Sequence, residues 1–249
     1  MRIAKAIADS GQASRRDAER MILAGRVSVN GQVIASPALD VSPTDRVEVD
    51  GNPLPPPEPL RLFKYYKPAG LTTTHHDEHN RRTVFDDIGG GYGRLLSIGR
   101  LDLNSEGLLL LTNSGEFQRF MEMGDFERVY RVRVRGIPAA AALASLANGA
   151  EIDGVRYKGV KARLEREQST NAWLRVGLSE GKNREIRRIF ESLGHEVSRL
   201  VRISYAGIGL DGLGPGEITE IAVPKKIMKA FGARASRKSV RGGDPGAKK

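Results

Sequence analysis

Apolar residues recur with helical spacing in only a few stretches of this chain, and in the clearest of these the flanking residues mark where the helix starts and stops. Ile186, Ile189, Phe190 and Leu193 fall at i, i+3, i+4 and i+7, and Gly194 follows as a stop, so the spacing predicts a helix from about Asn183 to Leu193 with one buried face. Ala18, Met21 and Ile22 repeat in the same way behind Ser14 and Asp17, which have the spacing of a capping box, and Gly25 is placed to end that helix. Ile3, Ala6 and Ile7 suggest a short helix before it, and Pro138 with the Ala-rich run to Asn148-Gly149 reads as a modest one. Elsewhere the period is two. Val27-Ser28-Val29, Asn30-Gly31 and Gln32-Val33-Ile34 read as a hairpin. From Val129 to Val134, Val132 and Val134 alternate with arginines, as a strand with one buried and one basic face requires. Trp173 to Leu178 and Ile218 to Val223 are further strands. No regular strand-helix-strand repeat appears, so the fold class is α+β, with a mostly antiparallel sheet in the larger part of the chain.

Composition divides this pattern into units. Asn52 to Pro59 carries five of the twelve prolines and reads as a stiff extended spacer. It separates residues 1–51 from a larger unit, 61–231, with 52–60 as the linker. The stretch 232–249 holds six basic side chains against one acidic and no large apolar residue except Val240, so it reads as a disordered basic tail. With 40 Lys and Arg against 30 Asp and Glu, the net charge of +10 favours a polyanionic partner, nucleic acid first. Within the first unit, residues 1–26 hold six basic against three acidic side chains, whereas Asp40 to Asp50 holds four acidic against one basic, so the basic face belongs to the helices. The longest run of large apolar residues, Leu108 to Leu111, is far too short for a membrane span. The N-terminus has no continuous apolar stretch resembling a secretory signal, so a cytoplasmic protein is expected.

Candidate chemistry is narrowed by what is absent. Without cysteine, thiolate metal sites and Cys nucleophiles are excluded. His75-His76-Asp77-Glu78-His79 lacks the helical spacing of a zinc protease, and no phosphate-binding Gly-Lys-Ser/Thr loop occurs; neither metal nor cofactor is expected. Around the helix at 183–193, Arg184, Arg187 and Arg188 share a set at i, i+3 and i+4, and Lys182 adds a cation at the N-terminal end. Spacing alone leaves two readings open: a solvated face with Arg187 paired to Glu191, or an anion site at a helix N-terminus. Asp102, in polar turn residues between two apolar stretches, is by spacing alone an Asx-turn residue.

Combinations of motifs carry more. Arg2-Ile3-Ala4-Lys5 through Ser14-Arg15-Arg16-Asp17 to Arg26-Val27-Ser28-Val29-Asn30-Gly31 closely resembles the small RNA-binding domain named after ribosomal protein S-four. The resemblance implies that Arg15, Arg16, Arg20 and Arg26 meet RNA phosphates. Gly99-Arg100-Leu101-Asp102, Ser105-Glu106-Gly107-Leu108 and Glu180-Gly181-Lys182-Asn183-Arg184-Glu185-Ile186-Arg187-Arg188, with Lys67-Pro68-Ala69-Gly70-Leu71, resemble the RsuA-like family of ribosomal-RNA pseudouridine synthases, most of all its large-subunit, RluB-like branch. By that resemblance Asp102 is the catalytic aspartate, Arg100 helps hold the displaced helix open, Tyr130 lies against the target ring and Arg187 pairs with Asp102. Lys182 and Arg184 join the RNA-binding set. Arg128 stands where the family often has Lys, which keeps the charge and changes the hydrogen-bond geometry.

The implied reaction detaches uracil from its sugar, turns it and rejoins it through carbon. No atom is gained or lost, so no cofactor is needed. An aspartate is ordinarily ionised at neutral pH and acts without a neighbouring base. Attack on the ring, attack on the sugar and removal of a sugar proton all remain open. The implied partner is ribosomal RNA, free or in an assembling particle, met by a monomer. Two alternatives use the same surfaces: a noncatalytic RNA-binding factor for ribosome assembly, and a tRNA-modifying relative.

Overall fold

Free amides at the first turn of a helix need acceptors, and the N-terminal segment supplies one where the pattern asks for it. In a computed structural model, which describes residues 1–241, α1 (Ile3–Asp9) is followed by α2 (Arg15–Leu23). The Ser14 hydroxyl accepts the Asp17 amide at 3.1 Å and donates to the Asp17 carboxylate. β1 (Val27–Val29) and β2 (Gln32–Val33) pair antiparallel across Asn30-Gly31, whose φ values of 52° and 83° suit the two-residue turn. β3 (Val47–Val49) and β4 (Asn52–Pro53) pair across Asp50-Gly51 in the same way. These four strands form one sheet in the order β2-β1-β3-β4. Ile3, Ile7, Ala18, Ile22, Val27, Val47 and Val49 close its core. The extended spacer therefore starts at Pro55 and not at Asn52, since the Leu54 amide still donates to the Val47 carbonyl at 3.0 Å and its side chain packs on the core. Asp50-Gly51 is itself a hairpin turn, and Pro53 is tolerated because β4 is an edge strand.

The described chain divides into two compact units. The first is Met1–Arg61 with Gly90–Leu96 and Thr112–Glu116, and the second comprises the rest. The second unit is built on a nine-stranded sheet. Its elements in chain order are β5 (Leu62–Lys67), α3 (Val84–Ile88), β6 (Leu96–Ile98), β7 (Ser105–Thr112), α4 (Gly115–Met123), β8 (Arg128–Arg135), α5 (Ala140–Ser145), β9 (Ala150–Ile152), β10 (Val155–Tyr157), β11 (Lys161–Gln168), β12 (Asn171–Leu178), α6 (Glu185–Ser192), β13 (Val197–Tyr205), β14 (Ile208–Gly209), β15 (Ile218–Ile221) and α7 (Lys225–Arg241). The strand order is β11-β12-β8-β13-β7-β5-β15, with β14 on β13 and β6 on β7, while β9 and β10 form a separate hairpin. The pairs β11/β12, β12/β8, β8/β13 and β5/β15 are antiparallel, and β7/β13 is parallel. The fold is α+β.

β7 lies between β13 and β5, and Leu108 to Leu111 are fully buried. A strand covered on both faces needs a continuous apolar run, and burial of each leucine is worth about 2 kcal/mol. The parallel seam is tight. Gly107 faces Arg202 with φ of +97°, and a Cβ there would lie 2.3 Å from the Arg202 carbonyl oxygen. The buried Arg202 side chain crosses the seam and donates from Nε to the Leu108 carbonyl at 2.6 Å.

The C-terminal stretch expected to be disordered from residue 232 is helical through Arg241, and Gly242 to Lys249 lie outside the described residues. Phe231 explains the difference. It packs on Phe117 and Phe120 of α4 with ring centroids 5.2 and 5.3 Å away, and the Lys, Arg and Ala that follow are good helix formers. Among the described residues no helix is long and apolar enough to cross a membrane.

Gly107→Ala should cost about 3 kcal/mol, from strain at a positive φ and from prising the seam apart. A urea midpoint equal to that of the parent would contradict so close an approach.

Candidate active site

Asp102 lies half-buried in the loop between β6 and β7, and the backbone around it is braced at every residue. Thr73 Oγ1 donates to the Leu101 carbonyl at 2.9 Å, and the Asp102 carbonyl accepts the Ser105 amide at 3.0 Å. The Leu103 carbonyl accepts the Gly70 amide at 2.8 Å and Lys67 Nζ at 3.2 Å. The Asn104 carbonyl accepts Arg187 Nη2 at 3.3 Å, and the Ser105 carbonyl accepts Lys67 Nζ at 2.8 Å. Residues from β5, from the loop after it and from α6 thus converge on one short turn. The backbone that carries the carboxylate is held in place before any ligand arrives.

Two buried cations act electrostatically on that carboxylate. Lys67 is fully buried at the end of β5, and burial lowers its ammonium from 10.5 to about 8, while the charges of Asp102 and Glu106 oppose the shift. Burial also lowers Arg187, with the charge of Arg184 acting the same way and those of Asp102 and Glu191 opposing. Arg187 does not emerge with Arg184 and Arg188, as the helical spacing suggests. It is 8% exposed, whereas Arg184 is exposed and Arg188 half-buried. Its hydrogen bonds go to the carbonyls of Asn104 and of Val197, the latter at 2.9 Å from Nη1, so its influence on Asp102 is exerted by charge and through the backbone. α6 begins at Glu185, two residues later than its periodicity implies, because Arg184 adopts a left-handed φ of 51°.

Tyr130 is on β8, 8% exposed, and faces Arg202 on β13, which in turn faces Gly107 on β7. Two strand spacings put its Cα about 10 Å from that of Gly107, five residues beyond Asp102. Arg128, two residues before Tyr130, is buried. It donates to the carbonyls of Phe126 and Ser179 at 3.0 and 3.2 Å and to the Tyr205 hydroxyl at 2.8 Å, a fork that a lysine cannot reproduce. Arg100 is exposed two residues before Asp102.

Lys182 is committed to the protein. Its ammonium pairs with Glu180 at 3.1 Å and lies 5.3 Å from the Tyr157 ring centroid. In the first unit Arg15 and Arg16 are exposed and make no ion pair among the described residues. Arg20 pairs with Asp17 at 3.3 Å, and Arg26 makes a two-point contact with Asp50 at 2.9 and 2.6 Å.

Sequence reasoning quoted Lys67 and Glu185 within motifs without giving either a role, and passed over Thr73. Lys67 had a signal, being a cation at the end of a strand of Leu, Phe and Tyr; Thr73, one of three successive threonines, had none. Glu185 is 4% exposed and accepts the Lys182 amide at 3.0 Å. Burial pushes its carboxyl up from 4.5 to about 7, the neighbouring Glu180 carboxyl adds to the shift, and the Lys182 amide works against it.

Comparisons with known proteins identify the family. A family model for RNA pseudouridylate synthase matches residues 61–192, and one for the S4 domain matches residues 1–47. An "uncharacterized RNA pseudouridine synthase" of Rickettsia bellii (strain RML369-C) is 49% identical over 230 residues, covering 92% of this chain and 99% of its own. The "ribosomal large subunit pseudouridine synthase B" of Bacillus subtilis (strain 168) is 37% identical over 233 residues, covering 92% and 94%. A crystal structure of a pseudouridylate synthase superposes with a TM-score of 0.63 at 27% identity, covering 92% of this chain and 99% of that one. The chain belongs to the RNA pseudouridylate synthase family, and its N-terminal part is an S4 domain. It is an RNA-modifying isomerase.

Because folding raises the Glu185 pKa, its proton stabilises the folded chain below pH 4.5, and that stability is lost as the pH rises through 7. The loss should be on the order of 3 kcal/mol by denaturant titration. Glu185→Gln, whose amide can donate to Glu180 and accept from Lys182, should flatten the profile; an unchanged slope would assign the proton elsewhere.

Proposed function

We propose that this chain isomerises uridine to pseudouridine in large-subunit ribosomal RNA, with Asp102 as the catalytic carboxylate and no cofactor. The reading of the substrate rests on relatives such as the Bacillus subtilis protein, whose name states it. The reading of the mechanism rests above all on the brace around Asp102, which holds one carboxylate beside two buried cations.

The bond from ring N1 to the sugar C1′ breaks, the base turns, and C5 bonds to C1′. The proton displaced from C5 and the one gained at N1 balance, so the product is an isomer. Asp102 supplies the negative oxygen that carries the base or sugar through this exchange. Lys67 and Arg187 offset the cost of removing that charge from water, and they fix its direction by gripping the backbone on either side. The target must leave its stack at a cost of a few kcal/mol, least in a loop or bulge. Stacking on Tyr130 recovers about 1 to 3 kcal/mol of this, and Arg100, exposed at the mouth of the loop, holds the vacated helix open.

Residues 1–51 deliver the enzyme to RNA. Arg15 and Arg16 are free to meet phosphates directly, while Arg20 and Arg26 do so after exchanging their carboxylate partners. Arg184 and Lys182 extend the cationic rim at the start of α6, Lys182 after leaving Glu180. Residues 61–231 carry the chemistry.

Asp102→Asn should abolish pseudouridine formation on an unmodified large-subunit RNA transcript while leaving RNA affinity within about twofold, since an uncharged isostere leaves the loop intact. Near-normal turnover in that variant would end the assignment. Tyr130→Phe keeps the ring and removes the hydroxyl, so turnover close to the parent's would confine Tyr130 to stacking.

A further inference from the structure

On the sheet face opposite Tyr130, arginines stand directly against one another. Along β8 the side chains of Tyr130, Val132 and Val134 are buried, while Arg131 is exposed and Arg133 half-buried on the other face. In register across the strands, Arg175 lies between Arg131 and Arg163. The neighbouring row runs Arg166, Trp173, Arg133 and Arg199.

Like charges directly opposite in a ladder repel and weaken the pairing, so the fold gains nothing from these rows. Counter-charges on the face only partly answer them. A bulge between Leu164 and Arg166 accompanies Glu165, whose carboxylate lies 2.8 Å from Arg131 and 3.9 Å from Arg175. Glu106 takes Arg199 at 2.8 Å. Arg133, Arg163 and Arg166 have no ion pair among the described residues, and Arg133 Nε is buried without a hydrogen-bond partner. Trp173 is half-exposed among them, with the Arg131 guanidinium 5.1 Å from its ring centroid. Side chains two apart on one strand are about 6.6 Å apart, a step that neighbouring phosphates can match.

We propose that this face of β8, β11 and β12 is a second RNA-docking surface, taking the phosphate backbone of the substrate outside the target nucleotide, with Trp173 as its apolar floor. The inference rests on RNA being the substrate, and charge complementarity selects it: a polyanion removes the repulsion that the protein itself leaves standing.

Trp173 is the chain's single tryptophan, so its emission reports on this face directly. On titration of the full chain with an unmodified large-subunit RNA transcript, Trp173 emission should change with the binding curve and revert as salt is raised. Arg163→Gln combined with Arg166→Gln removes two cations that make no ion pair among the described residues. The double variant should lower the salt slope of RNA affinity by about 1.5 to 2 and raise KM roughly tenfold, since each lost phosphate contact takes just under one unit from the slope. Its thermal midpoint should equal or exceed the parent's, because cross-strand repulsion is relieved, which separates lost docking from lost folding. Unchanged slope and KM, or Trp173 emission indifferent to saturating RNA, would overturn the proposal. Failure of the functional reading shows separately, as absence of pseudouridine in the parent's reaction, while fluorescence and salt slope still report on docking.

Discussion

The second unit turns on a short acidic loop whose carbonyls, from Leu101 to Ser105, are each given a donor. Main-chain carbonyls at a loop ordinarily face water and can move with it. Here Lys67 and Arg187 reach them from inside the protein, and both cations give up hydration to do so, which is why burial lowers the two pKa values. The cost is offset in part by the charge of Asp102, so the carboxylate and its supports stabilise one another. Truncating either cation leaves loop carbonyls without their donor and Asp102 less well matched, whereas the brace itself does not pass through the Asp102 carboxylate.

The arginines of the second unit fall into two populations with different physics. Arg128, Arg187 and Arg202 are buried, and their planar forks are spent on carbonyls and on the Tyr205 hydroxyl. They act as internal struts: Arg202 stitches β13 to β7, and Arg128 ties β8 to the segment leading into α6. The arginines on the outer face of β8, β11 and β12 are paired incompletely and set against one another. Counting net charge alone merges these groups. The buried set adds to the total of +10 without offering a guanidinium that a phosphate can touch.

Elements governed by local chemistry were legible in the sequence. The Ser14 cap, the Asn30-Gly31 hairpin, the alternation on β8 and the apolar stripe of α6 depend on residues within a few positions of each other. Family resemblance carried the reading to Asp102, which spacing alone would have left as a turn residue. What could not be read was direction. Periodicity groups Arg187 with Arg184 and Arg188, yet the left-handed residue at 184 and the depth of α6 against the acidic loop turn it inward. Lys182 reads as a free cation until Glu180 and Tyr157 are seen to hold it. The tail was misjudged because composition says little about a helix whose anchor, Phe231, sits near its middle, just ahead of residue 232, and finds its partners on α4, about a hundred residues earlier.

The parallel seam between β7 and β13 joins Gly107 to Arg202, and the supports of the acidic loop are spread from Lys67 to Arg187. During synthesis Asp102 leaves the ribosome long before α6 and β13 exist. The nascent chain therefore carries its acid on a loop that has Lys67 and Thr73 beside it but lacks the Arg187 brace, and the centre of an enzyme that acts on RNA is completed only once α6 has followed it out of the ribosome.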